Sequence, residues 1–227
     1  MTIRRLPNQE LPRNFKDWTG PLVRHTFNLA HSPQLPAMFD WNQARHNWPE
    51  QYSSLIESMR LELFEYHQGW NEIDLMMQFI GPLFKLISFQ GEHYGIFYHR
   101  SLKAKINKIL VNGILDSVVA TGYSDPLQPF FFLKEYKKSQ GYDNEPFGQL
   151  LISMVAAQQL NNDGQPLYGC YVIGSLWRFV LLDGQKYATT QSYDATDAGE
   201  LQIIWSMLVE VKRIVEERVE RLLAQAD

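Results

Sequence analysis

The chain has 227 residues, a length that suits one domain with a sizeable core, and 45% of its residues are hydrophobic. Its single cysteine, Cys170, excludes an internal disulfide. No apolar run approaches the roughly 20 residues of a membrane span, so we expect a soluble, cytoplasmic protein with no membrane partner. The net charge of −4 argues against coating nucleic acid through bulk charge, but leaves open an enzyme with one local basic groove.

Prolines and tryptophans crowd the beginning of the chain. Six of the eleven prolines lie in the first 50 residues, together with Trp18, Trp41 and Trp48. Proline removes a backbone donor and blocks helices, whereas tryptophan favours burial. We therefore predict that residues 1–50 form an irregular arm packed on a domain that spans residues 51–227.

Helices and a first hairpin are predicted next. Apolar residues at helical spacing predict a helix over residues 53–67. Asn71 is a predicted N-cap for a second helix, which Gly81-Pro82 should kink or end. Residues 86–89 and 94–99 flank a polar turn and predict a hairpin.

The remaining elements complete an α/β pattern. Residues 105–120 predict either one long bulged strand or a hairpin that turns at Asn112-Gly113. Residues 130–133 are apolar on both faces, which is typical of a central strand. Further predicted elements are a helix from Pro146, strands over 167–173 and 177–182, and a long helix over 198–224. This order predicts a mixed central sheet flanked by helices, with a long C-terminal helix.

Positive charge is concentrated at two places in this acidic chain. Each cluster is either a solvated strand face or a local contact for nucleic acid, and the sequence leaves both interpretations open. The clusters are Arg100, Lys103, Lys105 and Lys108, and Lys134, Lys137 and Lys138.

Three charged residues suggest a metal site in the predicted sheet. Asp116 stands in an apolar stretch, where a carboxylate is costly unless it is paired or binds a metal. Glu135 and Lys137 lie two residues apart in a predicted strand, so they project from one face. The separation of 19 positions from Asp116 to Glu135 allows two neighbouring strands, roughly 5 Å apart, and a turn. Two such carboxylates can share one hard cation such as Mg²⁺.

This set of groups suits phosphodiester hydrolysis. A carboxylate-bound Mg²⁺ or Mn²⁺ lowers the pKa of its water and screens phosphate charge, with Asp116 and Glu135 as the ligands. The ammonium of Lys137 can hold or activate that water and stabilise developing charge. Glu72 is predicted to point inward as a third carboxylate, and Gln149 to contact the substrate.

Each candidate also has a plainer structural interpretation. Glu-x-Lys is a common surface ion pair, and Asp116 can cap a turn. Glu72 can complement a helix dipole, and Gln149 can be a solvated residue of a first helical turn. Other chemistries fit poorly, because the six histidines lack zinc-ligand spacing and the sequence has neither a phosphate-binding glycine loop nor a Gly-x-Ser-x-Gly elbow.

Several segments carry a family resemblance. Residues 113–116 followed by 129–137 resemble the PD-(D/E)XK nuclease superfamily, and so do the Gln149 helix, strand 169–174 and the helix that begins at Asn71. The similarity covers roughly residues 53–182 and is closest to small stand-alone bacterial members.

The resemblance implies a restriction-endonuclease-like core, in the order helix–strand–strand–strand–helix–strand, and Mg²⁺-dependent cleavage of nucleic acid, with DNA favoured. It assigns Asp116 and Glu135 to the acidic positions, Lys137 to the lysine and Glu72 to the helix glutamate of some branches. Leu115 stands where the family pattern has proline. The alternative is a catalytically inactive nuclease-fold protein that serves in binding or assembly.

The last predicted helix carries a long apolar stripe. Leu201, Leu208, Val215 and Leu222 recur every seven residues, a stripe longer than a small sheet usually covers. Either its second half simply ends there, or residues 215–223 pack against the arm or a second copy. The second interpretation is preferred, and packing against a second copy would make a homodimer.

Overall fold

The computed structural model describes residues 11, 13–136 and 146–226, with the side chains of 133–136 and 226 outside the description. In this part, the helices are α1 (Gly20–Phe27), α2 (Pro36–Gln43), α3 (Ser53–Tyr66), α4 (Glu72–Leu75), α5 (Gly81–Ile87), α6 (Pro146–Asn161) and α7 (Ala198–Ala226). The strands are β1 (Ala30–His31), β2 (Tyr94–Ile106), β3 (Ile109–Thr121), β4 (Pro129–Tyr136), β5 (Leu167–Ile173), β6 (Leu176–Asp183), β7 (Lys186–Thr189) and β8 (Tyr193–Asp194).

These strands form one mixed sheet in the spatial order β1-β7-β6-β5-β4-β3-β2, and β8 pairs with β6. β2, β3 and β4 are antiparallel neighbours, and α6 then crosses over so that β5 runs parallel to β4. The predicted α/β architecture, a mixed sheet with flanking helices and a long C-terminal helix, is confirmed. From α5 to β5 the elements follow the order helix, three strands, helix, strand.

Helices bury both faces of the sheet. One core lies under α2 to α5 and α7, and contains Trp41, Phe79, Phe131, Phe179 and Leu208. The other core lies under α1 and α6, and contains Phe15, Phe27, Phe132, Leu151 and Val180. The central strand β4 supplies neighbouring phenylalanines to opposite cores, as the alternation of a strand requires.

The helices before the sheet largely match the sequence. The helix over 53–67 is confirmed as α3, and Asn71 caps α4 by accepting from the N–H groups of Ile73 and Asp74 at 2.8 and 3.0 Å. The predicted strand over 86–89 is wrong, because α5 continues to Ile87. Pro82 lies in the first turn of α5, where its missing N–H costs little.

The β2–β3 hairpin turns five residues earlier than Asn112-Gly113, one of the two arrangements predicted for residues 105–120. The chain reverses at Asn107-Lys108, where Asn107 has a left-handed φ of 56°. Gly113 lies inside β3, and its missing side chain makes room for Phe15, because a Cβ there would lie 2.3 Å from that ring.

The described part of the first 50 residues is more regular than the predicted irregular arm. It contains α1 and α2, each of eight residues. Trp18 and Trp41 are buried, and the indole N–H of Trp41 donates to the Met207 carbonyl at 2.7 Å. The Asn112 N–H donates to the Arg13 carbonyl at 2.9 Å, which extends the sheet edge.

The second half of α7 packs within its own chain. Val215 and Val219 are buried in the core beneath the sheet. Arg218 is only 5% exposed and donates to the Pro166 carbonyl at 2.8 Å. A second copy is therefore not needed to cover these residues, and the homodimer stays a prediction. Across the described residues, every helix is too short or too polar to cross a membrane.

Replacing Gly148 by alanine should loosen the contact between α6 and the N-terminal segment. A Cβ at Gly148 would lie 2.3 Å from the Trp18 carbonyl oxygen, so the backbone must shift. We expect Gly148→Ala to lower the free energy of unfolding by about 1–3 kcal/mol in urea titrations. Gly69→Ala, whose Cβ would lie 3.6 Å from its nearest neighbour, is the control. Equal stability of the two variants would contradict this packing.

Candidate functional site

Asp116 lies where two central strands separate. The β3–β4 ladder ends at the pair Ser117 and Leu133, and Asp116 is the next residue of β3. β4 continues to Tyr136 while remaining paired with β5. A half-buried carboxylate is therefore placed at the opening between β3 and β4.

The strands are irregular at this point. Leu115 belongs to the core beneath α6, and Asp116 lines a cleft with residues of that same helix. In a regular strand, neighbouring side chains point to opposite faces. In the adjacent strand β2, one neighbour of His99 pairs with Leu115 and the other pairs with Ser117. His99 itself has a left-handed φ of 51°. A local break of this kind changes the direction in which a neighbouring side chain points. Here the break at His99 lies in the strand next to Asp116.

The cleft beside Asp116 is narrow, with a volume of about 10 Å³, and combines a few polar groups with an apolar wall. Gln149 and Ser153 of α6 lie in it, and they are 7% and 3% exposed. The Ser153 hydroxyl donates to the Leu150 carbonyl at 2.7 Å, which satisfies it within the helix. The wall consists of Phe15, Ile114, Leu115, Phe132 and Leu150. The structure thus brings Asp116 and Gln149 together, and the interpretation of Gln149 as a solvated residue is wrong.

The other two members of the predicted triad are Glu135 and Lys137, and the structure describes only the backbone of Glu135. Glu135 lies in β4 with its backbone beside Val172 of β5, and its side chain falls outside the described residues. Lys137 lies entirely outside them. Their roles as metal ligand and ammonium therefore stay predictions.

Glu72 does not point inward as predicted. It is exposed at the first turn of α4, and its neighbour Leu75 packs in the core on the other side of the sheet from Gln149. The prediction assumed uninterrupted helical periodicity, but a π-helical turn over Met76–Ile80 separates α4 from α5 and rotates the residues before it. The plainer interpretation, an acidic residue at a helix N-terminus, fits the observed position.

Two carboxylates that the sequence did not single out have shifted pKa values. Burial alone would raise the pKa of Asp194, but hydrogen bonds from Thr196 and Ser175 outweigh it and lower the pKa. Burial also opposes ionisation of Glu210, yet hydrogen bonds with Arg213 and His46 hold its pKa below the ordinary value. The Asp194 carboxylate joins Thr196 to the β5–β6 turn at Ser175, and the Glu210 carboxylate joins α7 to His46. In the sequence both appeared only as isolated charges.

The described residues alone do not assemble a metal centre. Across 13–136 and 146–226, no three His, Cys, Asp or Glu side chains are grouped to hold an ion. Asp116 and the Gln149 amide offer oxygen donors, which are the ligands that Mg²⁺ prefers. Neither a protein-family model nor a curated protein matches the chain.

Thiol labelling can test the geometry of the cleft, because the native Cys170 is fully buried. In the folded protein we expect Asp116→Cys to react with a maleimide more slowly than Ile114→Cys, whose parent residue is 46% exposed. Ser153→Cys should stay protected until the chain unfolds, as Cys170 does. A thiol at position 116 that reacts as slowly as Cys170 would contradict an open cleft.

Proposed function

We propose that the chain is a metal-dependent nuclease that hydrolyses phosphodiester bonds in nucleic acid, with DNA as the favoured substrate. The observation that carries the proposal is the position of Asp116. Its half-buried carboxylate lies where β3 leaves β4, and β4 is the strand that holds Glu135. Two carboxylates on such neighbouring strands form a suitable oxygen-donor pair for a hard cation.

Asp116 and Glu135 would bind Mg²⁺ or Mn²⁺ in this proposal. The bound cation supplies an acidified water and screens the charge of the phosphate. The fit rests on donor chemistry, because carboxylate and amide oxygens suit Mg²⁺ and Mn²⁺ better than softer metals.

Side chains of the protein would orient the water, stabilise the developing charge and bind the substrate. Lys137, two residues after Glu135, would orient the attacking water and stabilise the charge that develops on the phosphate oxygens. The buried amide of Gln149 would hold the substrate by donating a hydrogen bond. The apolar wall around Asp116 and Gln149 would exclude water, which strengthens electrostatic interactions there.

The connection of the strands supports this assignment. α6 follows β4 and crosses to the parallel strand β5, so its N-terminal turns lie toward the carboxyl-terminal half of β4, while Asn161 at its other end donates to the Pro129 carbonyl at the start of β4. Ligands of α/β sheets commonly bind at the carboxyl ends of strands. The order helix, three strands, helix, strand also agrees with the core that the nuclease resemblance implies.

Removing either proposed ligand should abolish cleavage and weaken metal binding. We expect Asp116→Ala and Glu135→Ala each to lower the cleavage rate by about 100-fold or more, because a site with few protein ligands loses one. Cleavage of varied DNA and RNA with Mg²⁺ or Mn²⁺ checks the rate, and Mn²⁺ calorimetry checks the affinity. Glu62→Ala, which removes an exposed carboxylate of α3, is the matched control.

Lys137→Ala should affect metal binding and cleavage differently. It removes a positive charge near the metal, so we expect metal affinity to stay the same or rise while cleavage is lost. Full activity in this variant would reject a catalytic lysine. Unchanged Mn²⁺ affinity in both carboxylate variants would reject the metal site, and an intact protein that binds DNA but never cuts it would be the inactive nuclease fold.

A further inference from the structure

The β2–β3 hairpin extends well beyond the rest of the sheet. Its ladder runs from the pair Tyr94 and Thr121 to the pair Ile106 and Ile109. β4 pairs with β3 only between Ser117 and Ala120. The outer half of the hairpin, residues 100–115, therefore projects past the separation point at which Asp116 lies.

The two faces of this outer half differ sharply. Ala104, Ile106 and Val111 are buried in the core beneath α6. The opposite face, which we call the outer face, is exposed, so the described helices leave it uncovered. The outer face consists of Ser101, Lys103, Lys105, Asn112 and Ile114.

The hairpin is also the basic part of an acidic protein. Residues 94–115 contain four basic residues, Arg100, Lys103, Lys105 and Lys108, and no Asp or Glu. Subtracting these four positive charges from the net charge of −4 leaves −8 for the remainder. Lys103, Lys105 and Lys108 make no ion pair with any other residue in the described part of the chain. A polyanion is therefore repelled by most of the molecule and attracted here.

The outer face lies on the side of the sheet away from α6, and it meets the cleft on the α6 side at Ile114, next to the point where β4 leaves β3. Ile114 is 46% exposed on the outer face and also lines the cleft beside Asp116. Lys103 pairs with Asn112, four residues along β3 from Asp116, and Lys105 pairs with Leu110, six residues away. At about 3.3 Å per residue, the two lysines lie level with points roughly 13 and 20 Å along β3 from Asp116.

We propose that the outer face binds the phosphate backbone of a DNA duplex about 4–6 base pairs from the bond held at Asp116, at 3.4 Å per base pair. The identity of the polymer rests on the proposed function. Lysine contacts of this kind position a duplex without reading its sequence. The outer face contains no aromatic side chain, whereas single-strand binders stack bases on aromatic rings. A stiff duplex is also the form of DNA that keeps its phosphates at a fixed distance from the cleft.

Binding measured without cleavage tests this surface. Fluorescence anisotropy of a labelled 20-base-pair duplex in EDTA gives the affinity of the intact chain at several salt concentrations. We expect Lys103→Ala/Lys105→Ala to weaken binding for every duplex sequence alike. The slope of log affinity against log salt should fall in magnitude by about 1.8, since each lost phosphate contact removes about 0.9. Lys85→Ala/Lys186→Ala, exposed lysines of α5 and β7, changes the net charge equally and should leave the slope unchanged.

Duplex length supplies a second readout. Extending a duplex from 8 to 20 base pairs should tighten binding by the intact chain more than by the outer-face variant. Matching thermal unfolding of both double variants and the intact chain would establish that the fold is kept.

The outcomes separate this surface from the nuclease activity. Lysine-dependent duplex binding by a chain that never cleaves supports the outer face and rejects the nuclease. Cleavage with an unchanged salt slope in the outer-face variant rejects the outer face and keeps the nuclease. Equal lysine dependence for single-stranded DNA, or for phosphatidylserine vesicles, overturns the duplex assignment, and no duplex binding by the intact chain overturns it as well.

Discussion

The separation of β3 from β4 after the pair Ser117 and Leu133 is the constraint on which the candidate site depends. β4 keeps its parallel partner β5 beyond that pair, so the central strand stays anchored while its antiparallel neighbour leaves. The opening that results lies in the interior of the sheet, where a polar side chain would otherwise be covered. Asp116 stands at this opening, and the local break in the strands directs it toward α6.

The N-terminal segment completes the wall of the cleft. Phe15 packs on Gly113 and lines the cleft opposite α6, and Gly148 lets the backbone at Trp18 approach that helix. Both contacts require glycine, because a Cβ at either position would lie within 2.3 Å of its neighbour. Residues far apart in the chain thereby fix the position of Gln149. Disturbing the packing of this segment should alter the site without touching any polar group in it.

The sequence predicted the elements whose signals are local. Apolar periodicity located α3, α6 and α7, and the Phe130–Phe132 run located the central strand. Prediction from the sequence failed where contacts between distant residues decide the local structure. Gly113 reads as a turn residue in sequence, but it serves a close packing contact, and the π-helical turn that exposes Glu72 leaves no clear pattern of residue types. Asp116 stood out because a carboxylate in an apolar strand is costly, whereas the irregularity beside it, at His99 of β2, depends on how β2 pairs with β3.

The central claim is that Asp116 and Glu135 converge on one cation at the opening between β3 and β4. Anomalous diffraction from crystals soaked with Mn²⁺ tests it most directly. We expect one anomalous peak within about 2.0–2.3 Å of oxygen atoms from both carboxylates. Peaks at other carboxylates, with none between Asp116 and Glu135, would contradict it.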